Sequence, residues 1–497
     1  MKNVSLILVF LAFLSILGCS GSHNSSPDGQ TLYDQAVASD QAGAYITALQ
    51  QYRQAWPLLL KEGNIELVKQ CRLAVKRLDS ITDGYTATEQ MVRSTLTDLF
   101  PSISESTINY LLSRIDSLVI EGATYYYQGF INTAVHLDLS LMRQLQEAMD
   151  ANRSAYQALK PYVTTPGPLS GTPFRNPITY LGTASYNIPR NLLPQGGVLQ
   201  LWQPVPIQSD CQSNVSVVSV QPQSYFKNQT DINGDIGDIY LEVPLGGLSS
   251  DLSIEVQFRF THYEQRFTMI DPANVGTYDK NSNLYLLYTA SRENTFISPE
   301  IAAKAREITA GEQNPYYAAR KIYDYIVDEL TYSHMPHAAL GALEIPESVF
   351  VHNHRYGDCG GQSIYFSALC RSLGIPARAT GGYQLFPGME DGHFWAEFYL
   401  PNYGWVPVDT SIAQINRYLP ELTVAEQEAF KDYFFGGMDP LRWVIQRDVD
   451  LPFVPTPSEP TLLPITLQFP GGLCDSMAEI PEKVIWANYR ISFSREP

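Results

Sequence analysis

Positive charge is scarce in this chain. Lys and Arg together number 33 against 51 Asp and Glu, giving a net charge of −18 and no basic stripe. Phosphate backbones need clustered cations, so nucleic acid is excluded as an expected partner. Long apolar runs are equally scarce. The one run, Val4 to Leu17, is too short to cross a bilayer comfortably, and no second one follows. Metal-binding patterns are missing too. His334, His337, His352 and His354 form a loose cluster whose spacing fits no common zinc site. They read as solvated loop residues, one of them placed to line a cleft. Asp231, Asn233, Asp235 and Asp238 lack the closing Glu of a calcium loop and read as a polar hairpin turn. No cofactor or metal is expected. Cysteine is rare: beyond Cys19 there are Cys71, Cys211, Cys359, Cys370 and Cys474. An odd number cannot all pair within one chain, so at least one thiol is a candidate nucleophile.

At 497 residues the chain has room for about three domains. Lys2 and the apolar run end in Ile16-Leu17-Gly18-Cys19-Ser20, which resembles a bacterial lipobox. The expectation is a signal peptide over 1–18 and a lipidated Cys19 on a flexible tether to residue 30. That would give an envelope protein anchored to the membrane and facing the periplasm or exterior. Residues 31–161 read as helical. Gly43, Tyr45, Ala48, Tyr52 and Ala55 have the spacing of a tetratricopeptide-like helix pair within two amphipathic helices over 31–82, with Asn64 opening the next helix. These helices are the expected face for a protein partner. Ser102 with Glu105 has capping-box spacing, Ile115 to Tyr127 suggests a short strand pair, and helix resumes from Ile131 to Leu159.

Thr, Pro and Gly crowd 162–175 and mark a boundary. Short strands rich in Val, Ile, Tyr and Phe over 176–292 predict a β-sandwich. Helix signals return at Ser298-Pro299-Glu300, and a catalytic α+β core is expected over 296–420. A C-terminal extension with a few strands fills 421–497. The fold class is therefore multidomain α+β.

The chemistry is concentrated in the core. Gly357-Asp358-Cys359-Gly360-Gly361 leads into a helix that Gly374 and Pro376 stop. Cys359 thus falls at a helix N-terminus, where free N–H groups and the dipole favour a thiolate, so a depressed thiol pKa is expected. Small neighbours at 357, 360 and 361 suggest room for a substrate backbone. His393 opens an alternating strand, and a tight turn at Pro401 to Gly404 returns the chain to Asp409. Regular pairing closed at Pro401 and Gly404 sets Asp409 opposite Ala396, on the wrong face, so a bulge at Pro407 is expected. A thiol, an imidazole and a carboxylate make the nucleophile, base and orienting group of a Cys359-His393-Asp409 triad. Cys370, three helical turns beyond the nucleophile, reads as core. Trp395 and Trp405 read as structural.

Gly357-Asp358-Cys359, Ala368 to Arg378, Gly381-Gly382-Tyr383, His393 to Glu397 and Gly404 to Asp409 resemble, in order, the transglutaminase-like core. The resemblance covers roughly 298–412. It implies a papain-like α+β fold and thiol chemistry on amide bonds of peptides or proteins, by hydrolysis or transfer to an amine through an acyl-enzyme. A protein-glutamine transglutaminase and an inert binding or assembly module of the envelope are the other classes it admits.

Overall fold

The computed structural model describes residues 28–475 and 482–496. The lipobox and Cys19 lie outside them. Three helices, Gly29–Gln41, Tyr45–Glu62 and Ile65–Gly84, occupy the stretch where two were expected. Gly43 and Gly63 both adopt positive φ and turn the chain back between consecutive helices. Ala48, Ala55 and Tyr52 are buried between them, and Asn64 caps the third helix through Leu67 N–H. Ser104, not Ser102, caps the helix Glu105–Arg114. The strands Ser117–Ile120 and Ala123–Tyr127 form a hairpin on Glu121-Gly122, extended by Tyr85–Thr88. Helix then breaks at Asp138 and Leu145, leaving Phe130–Leu137, Leu139–Met142 and Gln146–Thr164.

Two antiparallel sheets follow. One is built on the long pair Phe174–Ile188 and Leu252–Arg266, the other on Val198–Pro204 and Asp238–Pro244. Both reach beyond residue 292. Tyr489–Arg495 pairs with the first sheet and Gly471–Cys474 with the second. The C-terminal segment thus completes the sandwich instead of extending past the core. Sequence pattern could not assign it, because these strands are short and their register partners lie some 300 residues away.

The core centres on a four-stranded antiparallel sheet ordered Gly404–Val408, Asp391–Leu400, Ala377–Gln384, Arg442–Gln446. Its fourth strand lies past the expected boundary at 420. Gly382 is required there: a Cβ would sit 1.8 Å from the Trp443 carbonyl oxygen. The helix Cys359–Ser372 is buried against this sheet. Helices Pro299–Thr309 and Pro315–Glu329, each opened by a Pro after a capping Ser298 or Asn314, pack behind it.

The N-terminal helical region is bonded directly to the core. Tyr127 Oη donates to Met335 O (3.0 Å), the Thr133 and Ser333 hydroxyls share a bond of 2.7 Å, and His334 N–H donates to Asn132 Oδ1 (2.9 Å). The first two of these bonds are buried, where an unmade partner is costly.

Candidate active site

Cys359 opens the helix whose N-cap is Asp358; the carboxylate accepts the Gly361 N–H at 2.9 Å. A strand pair, Thr331–Tyr332 beside Tyr356–Gly357, fixes the approach to the helix and sets Tyr332 opposite Gly357. Packing requires two of the glycines here, Gly361 and Gly357. A Cβ on Gly361 would fall 2.2 Å from Met335 Sδ, and one on Gly357 would fall 2.9 Å from Val351 Cγ2.

His393 and Asp409 meet without a bulge. The turn pairs Leu400 with Gly404, one residue longer than expected on the first strand's side, so Ala396 faces Val408 and Pro407 pairs regularly with Glu397. Continuing that register sets Asp409 beside Trp395, on the His393 face. Pro407 is tolerated because its strand is the edge of the sheet. His393 Nε2 lies 2.8 Å from Asp409 Oδ2, which leaves Nδ1 as the nitrogen to exchange a proton. The imidazole lies over Trp395, nearly parallel at 6.4 Å.

Asp409 is fully buried and heavily bonded. Oδ2 also accepts from Arg442 Nη1 (2.7 Å), and Oδ1 accepts from Ile412 N (3.0 Å) and Ser411 Oγ (3.1 Å). Burial alone would raise its carboxyl; His393 and Arg442 outweigh it and hold the group far below the usual carboxylate range. Arg442 is shared with Asp439 (2.7 Å) and lies over the Trp395 ring. Neither Arg442 nor Asp439 carries a sequence signal, since both fall outside the motif blocks.

The thiol departs from expectation. Burial is the largest influence and pushes Cys359 well above its ordinary pKa, with the Asp358 and Asp409 carboxylates acting in the same direction. The N–H groups of Phe394 and Gly360 oppose them without prevailing. The helix end does not suffice, because its own cap is an anion beside the sulfur. A thiolate here needs a proton acceptor, and the Phe394 N–H that meets the sulfur belongs to the residue after His393.

Of the four histidines His334 is exposed, as expected, while His337, His352 and His354 are half-buried and bonded. His337 bridges Glu347 Oε1 (2.7 Å) and Asp358 Oδ2 (2.6 Å). Burial would lower it, but the two carboxylates hold it well above its usual pKa. His352 meets Tyr365 Oη at 2.9 Å and His354 meets Asp116 at 3.4 Å. His334 lines a cavity of about 400 Å³ that reaches His393. Cys370 is a buried core thiol. Trp405 packs under Arg378 at 4.0 Å, at the far end of the sheet.

The cavity has Tyr332 in its wall as well. Burial first, and the nearby Cys359 thiol second, raise the Tyr332 phenol well above its usual range. Its opposite wall comes from the N-terminal helices, through Ile131, Val135, Met142 and Ala148.

Residues 302–410 match the model of the transglutaminase-like superfamily. An uncharacterized protein of Haemophilus influenzae is 28% identical over 173 residues, which cover 29% of this chain and 46% of that one. The chain thus spans under half the length of that relative. Among solved structures, a candidate cysteine protease of Cytophaga hutchinsonii is similar over 65% of this chain and 92% of its own (12% identity, TM-score 0.39). The periplasmic domain of TgpA from Pseudomonas aeruginosa is similar over 51% and 92% (15% identity, TM-score 0.26).

Proposed function

We propose that this protein is an envelope-anchored cysteine enzyme that cleaves or transfers amide bonds of peptides or proteins through Cys359, His393 and Asp409. The observation that carries the reading is the clamped imidazole. Asp409 holds Nε2 at 2.8 Å, which leaves Nδ1 to accept the proton of a thiol whose sulfur meets the next residue's N–H.

His393 takes the Cys359 proton as sulfur attacks the amide carbonyl. The resulting oxyanion is met by the Cys359 N–H and the Tyr332 hydroxyl. His393 then protonates the leaving amine, and a thioester remains. Water completes a hydrolysis; an amine completes a transfer. Asp409 keeps the proton-bearing nitrogen of His393 turned toward itself throughout. Hydrolysis is the leading direction, and transamidation the alternative. Lipid attachment at Cys19 would hold the enzyme at the membrane; among the described residues no helix is long and apolar enough to cross one.

The raised thiol favours a second reading, an inert module in which the triad is vestigial. Alkylation separates the two. Iodoacetamide should modify Cys359 at pH 7–8 in the native protein, and His393→Ala should move that reaction to higher pH. If Cys359 stays unmodified while the unfolded chain reacts, the inert reading stands. Acyl-enzyme trapped from a peptide donor, with and without added amine, then identifies the product.

A further inference from the structure

The cavity beside His393 is walled by two regions that the sequence separates. Ile131, Val135, Met142 and Leu145 come from the N-terminal helices, Ile412 and Ile415 from the segment after Asp409. Its lining contains no Asp, Glu, Lys or Arg. Most of the polar groups that do line it are already engaged. Asn132 Oδ1 accepts the His334 N–H, and His136 Nδ1 is bonded to Asn132 O at 2.8 Å. Gln384 donates to Met389 O at 2.8 Å, and Ser411 donates to Asp409. His136 is pulled down to about 4 by burial, so it is neutral near pH 7. A charged side chain entering here would find no Asp, Glu, Lys or Arg as a counter-ion, whereas an apolar one would lose nothing. At about 400 Å³ the space is large enough for a bulky aliphatic or aromatic group.

We infer that this cavity is the specificity pocket of the enzyme, and that it takes a large uncharged apolar side chain of the substrate peptide, next to the amide that Cys359 attacks. The inference rests on the catalytic reading above. It gives the N-terminal helices a direct part in choosing the substrate. Apolar pockets discriminate by size and by refusal of charge, with about 10- to 200-fold preferences for modest differences in fit.

Dipeptidyl chloromethyl ketones test it, one position Gly and the other Leu, Phe, Glu or Lys, in both arrangements. Inactivation rates are expressed relative to each protein's iodoacetamide rate, which removes differences in intrinsic thiol reactivity. In the wild type, Leu and Phe at one position should react about tenfold or more faster than Glu and Lys. Ala148→Phe and Ala151→Phe fill the pocket from partly exposed positions on the helix Gln146–Thr164, so the fold is under little strain. Both should erase the preference, retaining less than about threefold. Equal rates for all four side chains in the wild type, or a preference that survives both fillings, overturns the pocket assignment. Failure of the catalytic reading looks different: no reagent, iodoacetamide included, labels Cys359 in the wild type.

Discussion

Asp409→Asn is the substitution that tests the site most sharply. The carboxylate accepts four bonds: from His393 Nε2 and Arg442 Nη1 at Oδ2, and from Ile412 N and Ser411 Oγ at Oδ1. An amide of the same shape has one oxygen to offer. If the oxygen stays toward His393 and Arg442, the NH₂ meets the Ile412 N–H, donor against donor, and the helix cap is lost. If it turns the other way, the NH₂ meets the Arg442 guanidinium, and His393 must present Nε2 as an acceptor. Its proton then sits on Nδ1, and it cannot take the proton from Cys359. Either way Arg442 keeps only Asp439 as a buried counter-charge. Breaking a buried pair from one side costs about 3–5 kcal/mol, and a misplaced imidazole proton costs about 10²-fold or more in rate. The assay is inactivation by the best peptidyl chloromethyl ketone across pH 5–10, beside a urea midpoint. The expected result is a folded, less stable protein with turnover and inactivation slowed at least 10²-fold. A variant that keeps the wild-type rate and pH profile would refute the role given to the carboxylate.

Three further outcomes are expected. Tyr332→Phe should slow acylation by a p-nitrophenyl ester about 10²-fold, the cost of one oxyanion donor, yet leave the iodoacetamide rate within about threefold, since alkylation builds no oxyanion; equal slowing of both assigns Tyr332 to packing. Asp238 is buried, bonded only by the Val454 N–H at one oxygen, and raised from 3.8 to about 7. The folded form binds more protons than the unfolded one between those values, so stability falls as pH rises through that window. Asp238→Asn should therefore stabilise at pH 8 by up to about 4 kcal/mol and little at pH 4, read as thermal midpoints. Cys19→Ser should abolish metabolic labelling by a fatty acid and release the protein from membranes; equal labelling of both proteins sinks the anchor.

The nucleophile helix and the His-to-Asp hairpin were legible because each rests on local signals: a Gly-flanked Cys before a periodic run, and an alternating strand closed by a turn. The register was misread by one residue. Three turn residues, Pro401 to Tyr403, separate the paired Leu400 and Gly404, and a single step in register exchanges the two faces of a strand. Arg442 and Tyr332 were invisible for another reason. Neither lies in a motif block, and each acts only where distant segments meet. The depressed thiol was predicted from the helix end together with the pairing to His393 and Asp409. The sequence prints Asp358 next to Cys359, but only the fold shows that its carboxylate caps the helix and that Cys359 is half-buried. The histidines illustrate the same limit, since Glu347, His337 and Asp358 converge only in three dimensions.

That last convergence bears on how the thiol works. Two carboxylates, Asp358 and Asp409, disfavour charge on Cys359. Each is held by a buried cation that is itself shared with a second carboxylate: His337 with Glu347, Arg442 with Asp439. With these groups ionised, each set of three carries a net negative charge. Such a field penalises the thiolate. The two halves of a Cys-His ion pair are therefore unequal here, and the thiolate is the high-energy member. In the proposed reaction, attack on a carbonyl removes charge from sulfur and places it on oxygen, where the Cys359 N–H and the Tyr332 hydroxyl would stabilise it. On the proposed mechanism the negative surroundings thus raise the ground state of the nucleophile, while donors are aimed at the oxyanion. A bound substrate filling the apolar cavity would displace its water and sharpen that difference. The same carboxylates that keep the resting thiol protonated would then favour its reaction only when an acyl group is in place.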